Sequence, residues 1–428
     1  MKSKRLGFAF GILLLAQLAT PSVLAAQGRN KQQASYTVID LGTLGGTFSL
    51  AAGLNNRGSV IGDSNLPGDL AHHAFLWRHG IKTDLGTLGG PNSEANFRPS
   101  DSDEVVGFAE TSNPDPFGEH FCGFGTGLTC PPFLWRDGVM TALPTLGGND
   151  GEATGVNNAG QVVGFVENAS LDPTCPPPQV PEVKPVLWEK GEVRELPTLP
   201  GDINGQAIAI NDKGQIVGGS GGSLICTAIS HSVLWQNGTV IDLGNLGGTM
   251  NCCAEDINNQ GQVVGSSDLP GDTVFHAFLW QNGVMIDLGT LPGDVDSLAF
   301  GINNKGQVVG ASFDASGNAR AFVWQNGVMT DLNALIPSDS SLFLQIAFRA
   351  INARGQIAGL AFEKETFDGH AFLLTPTNGG ATDESVPPAN LSATSERMSE
   401  SLSEKARMML RQRLGPRYRI PSLGAPLD

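Results

Sequence analysis

Three sets of residues in this 428-residue chain have the types to do chemistry: six cysteines, seven histidines and a recurrent acidic turn. The cysteines are Cys122, Cys130, Cys175, Cys226, Cys252 and Cys253. No CxxC pair and no cysteine–histidine spacing of the zinc type links them, so disulfides in an oxidising compartment are the expected chemistry. Cys122 and Cys130 share one loop with Gly123, Gly125 and Gly127 between them, which lets the chain fold back for a bond. Cys226 is expected to take one of the vicinal Cys252 and Cys253, leaving the other for Cys175. All six are expected in loops.

Four of the histidines, His73, His231, His276 and His370, stand in one recurring slot ahead of a tryptophan or its equivalent. Spread over different sheets, they cannot converge on a metal that needs ligands at about 2 Å, and each is expected to make a local hydrogen bond. The string Leu-Pro-Gly-Asp ends at Asp69, Asp202, Asp272 and Asp294. Pro-Gly at its centre marks a type II turn. The same four aspartates suit calcium, which takes several oxygen ligands, although no EF-hand or nonapeptide pattern accompanies them. Phe117, His120, Phe121 and Phe124 crowd a glycine-rich loop, as a cap or as a ligand-recognition surface. No nucleophile elbow, phosphate loop or HExxH motif occurs, so no catalytic residue is assigned.

The elements that carry these residues are short strands. Between Asp256 and Gly293 the chain reads as β-branched and aromatic runs broken by Asn-Gly turns, with Asn282-Gly283 the strongest hairpin signal. The glycine of the VVG string recurs at Gly62, Gly107, Gly164, Gly218, Gly265, Gly310 and Gly359, about 45–57 residues apart. Seven units of four strands at this period predict an all-β fold, a seven-bladed β-propeller over residues 36–377. The tryptophans Trp77, Trp135, Trp188, Trp235, Trp280 and Trp324 share one slot and are expected to pack between blades. The last unit lacks a fourth strand, and Tyr36 to Gly42 supplies one without its first three. That segment is predicted to complete the last blade, removing an open edge.

Residues 1–25 read as a signal peptide: Lys2, Lys4 and Arg5, an apolar run too short to span a bilayer, then small residues. Residues 26–35 form a polar lead-in. Residues 378–428 read as a linker and an amphipathic helical tail, acidic early and basic late, as the helix dipole favours. No transmembrane anchor is expected. The formal net charge of −16 at pH 7 disfavours nucleic acid and anionic membranes as partners.

The tripeptide His-Ala-Phe ahead of the third-strand tryptophan slot, at His73–Phe75, His276–Phe278 and His370–Phe372, with flanking GQVVG and DLGTLGG strings, resembles the HAF family of bacterial extracellular repeats across residues 36–377. The resemblance implies a secreted or periplasmic bacterial protein and brings no catalytic residues. The expected function is non-enzymatic: a binding or scaffolding propeller whose disulfide-stapled, acidic loop face takes an extracellular protein or glycan, with no cofactor other than the calcium considered above. The contrasting reading is an extracellular polysaccharide hydrolase or lyase at the mouth of the channel. Three or more ionisable side chains converging there would favour the enzyme.

Overall fold

The computed structural model describes residues 36–177, 179–222, 229–249 and 252–377, with residues 229, 230 and 252 described by their backbone alone. The leader, the lead-in and the helical tail lie outside these residues.

Local turn chemistry fixes the repeat. Strands Cys252–Ile257, Val263–Asp268, Phe275–Gln281 and Val284–Asp287 form one antiparallel sheet in chain order. Asn282 (φ 52°) and Gly283 (φ 84°) are both left-handed in its last hairpin, as the two-residue turn requires. At the first hairpin only Gly261 is left-handed, with φ 78°. Asn258 acts there as a cap instead: its Oδ1 accepts the backbone N–H groups of Gln260 and Gln262, each at 3.0 Å, and so mimics a turn of backbone.

A register shift between Ala254 and Asp256 bulges the first strand, and the shift recurs at Ala51/Gly53, Ala153/Gly155, Ala207/Ala209 and Ala299/Gly301. Beside the bulge a carbonyl of the first strand presses on the second. A Cβ on Gly310 would lie 1.9 Å from the Leu298 oxygen. Close approach explains the recurring VVG glycine.

Five sheets have four strands each. A sixth has eight, made of two antiparallel halves that meet at a single parallel pairing of Gly53 with Arg349. In it Tyr36–Asp40 runs antiparallel to Gly369–Pro376, from Tyr36 opposite Pro376 to Asp40 opposite Phe372. The N-terminal strand thus lies in the place that the sequence left vacant.

Successive sheets are joined at their first hairpins. Nδ2 of Asn55 donates to the Ser100 oxygen (2.9 Å), Asn157 to Asn211 (3.2 Å), Asn211 to Asn258 (2.9 Å), Asn258 to Asn303 (3.1 Å), Asn303 to Asn352 (3.0 Å) and Asn352 to Asn55 (3.0 Å). Farther out, the tryptophans fill the gaps between sheets as expected. Trp280 packs with Leu234 and Leu243 of the preceding sheet, and Trp188 Nε1 donates to the Pro144 oxygen at 2.8 Å.

One expectation about the insertions is corrected. Cys252 and Cys253 lie within a strand, Cys252–Ile257, where they stand opposite Ser267 and Ser266 of the next strand. Strands Val162–Leu171 and Pro181–Glu189 lengthen so that Leu171 pairs with Pro181, making a hairpin that prolongs its sheet.

The histidine slot is local, as expected. His73 Nδ1 lies 2.8 Å from Asp84, His276 2.9 Å from Asp287 and His231 3.2 Å from Asp202. His370 bonds Asp40 of the N-terminal strand at 2.7 Å. Its bond to Asp40 raises the His370 pKa, although burial opposes it. Burial pushes Asp40 up, but the His370 and Gly42 hydrogen bonds outweigh it and leave Asp40 below its ordinary value.

His370 therefore contributes stability that is complete below its unfolded pKa and is lost as pH rises through the raised value. Asp40 contributes above its unfolded pKa and loses that contribution as pH falls through the depressed one. Asp40→Asn should flatten the fall in melting temperature between mildly acidic and mildly alkaline pH; an unchanged profile would show that the pair does not anchor the strand. Gly310→Ala should cost at least about 1–3 kcal/mol through overpacking, measurable by denaturant unfolding, and a neutral result would remove the close-approach account.

Candidate functional site

The connections between second and third strands hold the long insertions. In the second repeat the insertion is a folded hairpin: Thr129 N–H donates to the Asn113 oxygen and Asp115 N–H to the Gly127 oxygen, both at 2.9 Å. Cys122 and Cys130 form the expected disulfide, with their Cα atoms 6.4 Å apart. Cys175 is also disulfide-bonded. The expected pairing of Cys226 with Cys252 or Cys253 falls outside the described side chains.

The aromatic residues of this loop divide into two roles. Phe124 stacks on Phe108 with ring centroids 5.7 Å apart and meets His72 edge-on at 4.9 Å. Phe121 lies 6.1 Å from Phe165 and packs on the cluster of Phe97, Phe165, Val183 and Ile208. Phe117, 43% exposed, and His120, also exposed, stay at the surface. Leu70, in the corresponding connection of the preceding repeat, and Leu171, at the end of a strand of the following one, are exposed as well.

The Leu-Pro-Gly-Asp turns take type II geometry. Gly68, Gly201, Gly271 and Gly293 are left-handed, and each aspartate N–H bonds the leucine oxygen three residues back at 3.0 Å. Their carboxylates remain in separate sheets. Asp69 and Asp272 accept from Thr47 and Thr249, Asp202 from Ser220, and Asp294 pairs with Arg320 at 2.7 Å.

Charged residues missed by the sequence reading line the axis. Arg98 Nη2 reaches Asp256 Oδ2 at 3.1 Å and the carbonyls of Ile302 and Ile351 at 3.3 and 3.4 Å. Arg349, stacked 4.3 Å from the Phe97 ring centroid, pairs with Glu255, and both side chains are almost fully buried. Above Arg98 a cavity of about 50 Å³ opens between the first hairpins, rimmed by Asn56, Asp101, Asn158, Asp212, Asn259 and Asn304. The repeat alignment holds a signal for the first of these pairs. Arg98 and Asp256 occupy a slot that is Gly53, Gly155, Ala209, Gly301 or Ala350 elsewhere.

A second group of charges is wholly acidic. Asp115 and Glu119 of the stapled loop meet Asp150 of the strand Gly147–Val156, with carboxylate oxygens of the three within 4.8 Å of one another. Glu167, on the next strand, faces Glu119. Burial, then Glu167, pushes the Glu119 pKa up to about 9. Burial pushes Asp150 up to about 8. Asp63, His72 and Glu94 make a further cluster, in which His72 Nε2 bonds Glu94 at 2.8 Å.

No family model matches the chain, and no curated protein matches it. Among solved structures it is similar to an acylaminoacyl peptidase from Pyrococcus horikoshii (13% identity, TM-score 0.45), covering 82% of this chain and 54% of that one. TolB from Acinetobacter baumannii shares 11% identity at TM-score 0.40, over 76% of this chain and 65% of TolB. An oligogalacturonate lyase in complex with manganese shares 12% identity at TM-score 0.47, over 81% of this chain and 97% of the lyase. The chain thus spans less than two thirds of the peptidase and of TolB. At these values the likeness transfers neither activity nor ligand.

The buried pair of Arg349 and Glu255 yields a sharp expectation. Arg349→Met should cost about 3–5 kcal/mol by stranding a buried carboxylate, whereas adding Glu255→Leu should recover most of it. Urea unfolding of both variants measures this; a single variant as stable as the wild type would contradict the pairing.

Proposed function

We propose that this chain is a secreted or periplasmic, non-enzymatic seven-bladed β-propeller of the HAF-repeat kind, closed by its N-terminal strand, that binds an extracellular protein or glycan on its loop face. The observation that carries the reading is the stapled loop of the second blade. Its disulfide and the inward Phe121 and Phe124 hold the backbone, while Phe117 and His120 stay exposed at its tip. A rigid scaffold presenting an ordered aromatic is how binding loops cut the entropy cost of association.

Seven blades are supported by the five four-stranded sheets and the two halves of the eight-stranded one. Closure is supported by the register of Tyr36–Asp40 against the last strand and by the Asn352 bond to Asn55. Export is supported by the leader sequence and the disulfides, which persist in oxidising compartments. Among the described residues no helix is long and apolar enough to cross a membrane.

The enzyme reading asked for convergent ionisable groups. They are present, but closed off from a polymer. On the axis they are spent on each other, Arg98 with Asp256 and Arg349 with Glu255. In the acidic cluster Asp115, Glu119, Asp150 and Glu167 are each at most 8% exposed. A polysaccharide chain needs an open groove beside its acid and base.

A glycan array and an affinity capture from extracellular material, both with the oxidised protein, test the proposal. Binding should fall at least about tenfold in Phe117→Ala and His120→Ala with the melting temperature unchanged, a loss of hot-spot size. Release of new reducing ends or unsaturated sugars from a polysaccharide by the purified protein would overturn it in favour of the enzyme.

A further inference from the structure

We propose that Asp115, Glu119, Asp150 and Glu167 bind one calcium ion, which fastens the stapled loop of the second repeat to the neighbouring sheet. The four side chains come from different elements: two from the loop, one each from the strands Gly147–Val156 and Val162–Leu171. They meet inside the protein, with relative exposures of 8, 8, 1 and 0%.

The way each carboxylate is held points to a ligand between them. Asp115 Oδ1 accepts the N–H groups of Phe117 (2.7 Å) and Glu119 (3.3 Å), while its Oδ2 is buried with no donor in reach. Glu167 Oε2 accepts from Asn149 and Asp150, both at 3.1 Å, and its Oε1 has no donor. Asp150 Oδ1 accepts the Cys130 N–H, tying the cluster to the disulfide. Among the described residues, both oxygens of Glu119 are buried with no donor in reach, as are Asp115 Oδ2 and Glu167 Oε1. Backbone amides thus orient the carboxylates, and their remaining oxygens face other oxygens. Stripping carboxylates of water without a counter-charge is strongly unfavourable, so the cluster must take up protons or a cation.

The cation's identity follows from the donors. All are hard carboxylate oxygens, with no thiolate or imidazole, which excludes a zinc or copper preference. Oxygens of Asp115, Glu119 and Asp150 within 4.8 Å of one another fit a sphere with metal–oxygen distances of about 2.3–2.6 Å, whose opposite ligands lie about 4.6–5.2 Å apart. Magnesium prefers shorter bonds and keeps several waters, for which a buried set of four carboxylates leaves little room. This inference concerns the root of the loop and does not depend on what its tip binds.

The test uses the full chain with its disulfides intact, stripped with a chelator and then titrated calorimetrically with calcium chloride. One ion per chain should bind, the melting temperature should rise by several degrees, and tenfold excess magnesium should not displace the calcium. Glu119→Gln and Asp150→Asn should weaken binding by at least about 10–100-fold, the loss that even outer-shell changes give. Each relieves like-charge repulsion, so in chelator they should melt no lower than the wild type. Asp272→Asn, in an exposed turn, should bind as the wild type does. Should a variant fail to fold, lanthanide-soaked wild-type crystals give the same decision through the position of the anomalous peak. No calcium binding at millimolar concentration, equal binding of magnesium, binding that survives Glu119→Gln, or a peak away from these carboxylates would each overturn the assignment.

Discussion

The hydrogen-bonding of the first-hairpin asparagines, Asn55, Asn157, Asn211, Asn258, Asn303 and Asn352, is the interaction on which the architecture depends. A four-stranded sheet of this size cannot bury both faces alone, so each needs its neighbours at a defined angle and height. Asn258 shows how that is met: one amide accepts from the N–H groups of its own turn, donates to Gln262 and donates to the backbone of the next hairpin. A turn-forming side chain is thereby also the joint between sheets. In the second repeat Ser100 and Asp101 take over, with Asp103 in the left-handed place of glycine at φ 66°. The repeat that departs most at this joint also bears the most elaborate insertion.

Charge is the second constraint. The innermost strands are bulged, which turns Glu255 and Asp256 towards a narrow axis where water is scarce. The answer on the axis is mutual: arginines from other sheets meet them. In the acidic cluster beneath the loop no such arginine is in place among the described residues, and the demand for a counter-charge passes to a proton or a metal. The axial pairs tie distant parts of the chain together, and in them the loss of one partner costs more than the loss of both.

What the sequence made legible was whatever a single repeat encodes. Asn-Gly hairpins, the VVG glycine, the tryptophan slot and the local bonding of His73 and His276 all depend on neighbours within one or two repeats. The vacancy filled by Tyr36–Asp40 was legible too, since it is a mismatch in strand count. The cluster of Asp115, Glu119, Asp150 and Glu167 was not, because Asp115 and Glu119 belong to an insertion without counterparts in other repeats and meet the strand residues Asp150 and Glu167 only when two sheets pack. Attention to acids that recur led to Asp69 and Asp272, which recurrence itself places in separate sheets. Arg98 and Asp256 lay between these cases: opposite charges in a slot otherwise held by glycine or alanine invite pairing across an axis.

If the hairpin bonds unite the repeats, the chain opens as a whole instead of sheet by sheet. Native-state hydrogen exchange addresses this through amides that donate to a neighbouring hairpin, those of Asn56, Asn158, Asp212, Asn259 and Ala353. Under conditions where exchange reports opening free energy, a single shared value equal to that of global unfolding is the result the account predicts. Distinct values that change from one sheet to the next would contradict it.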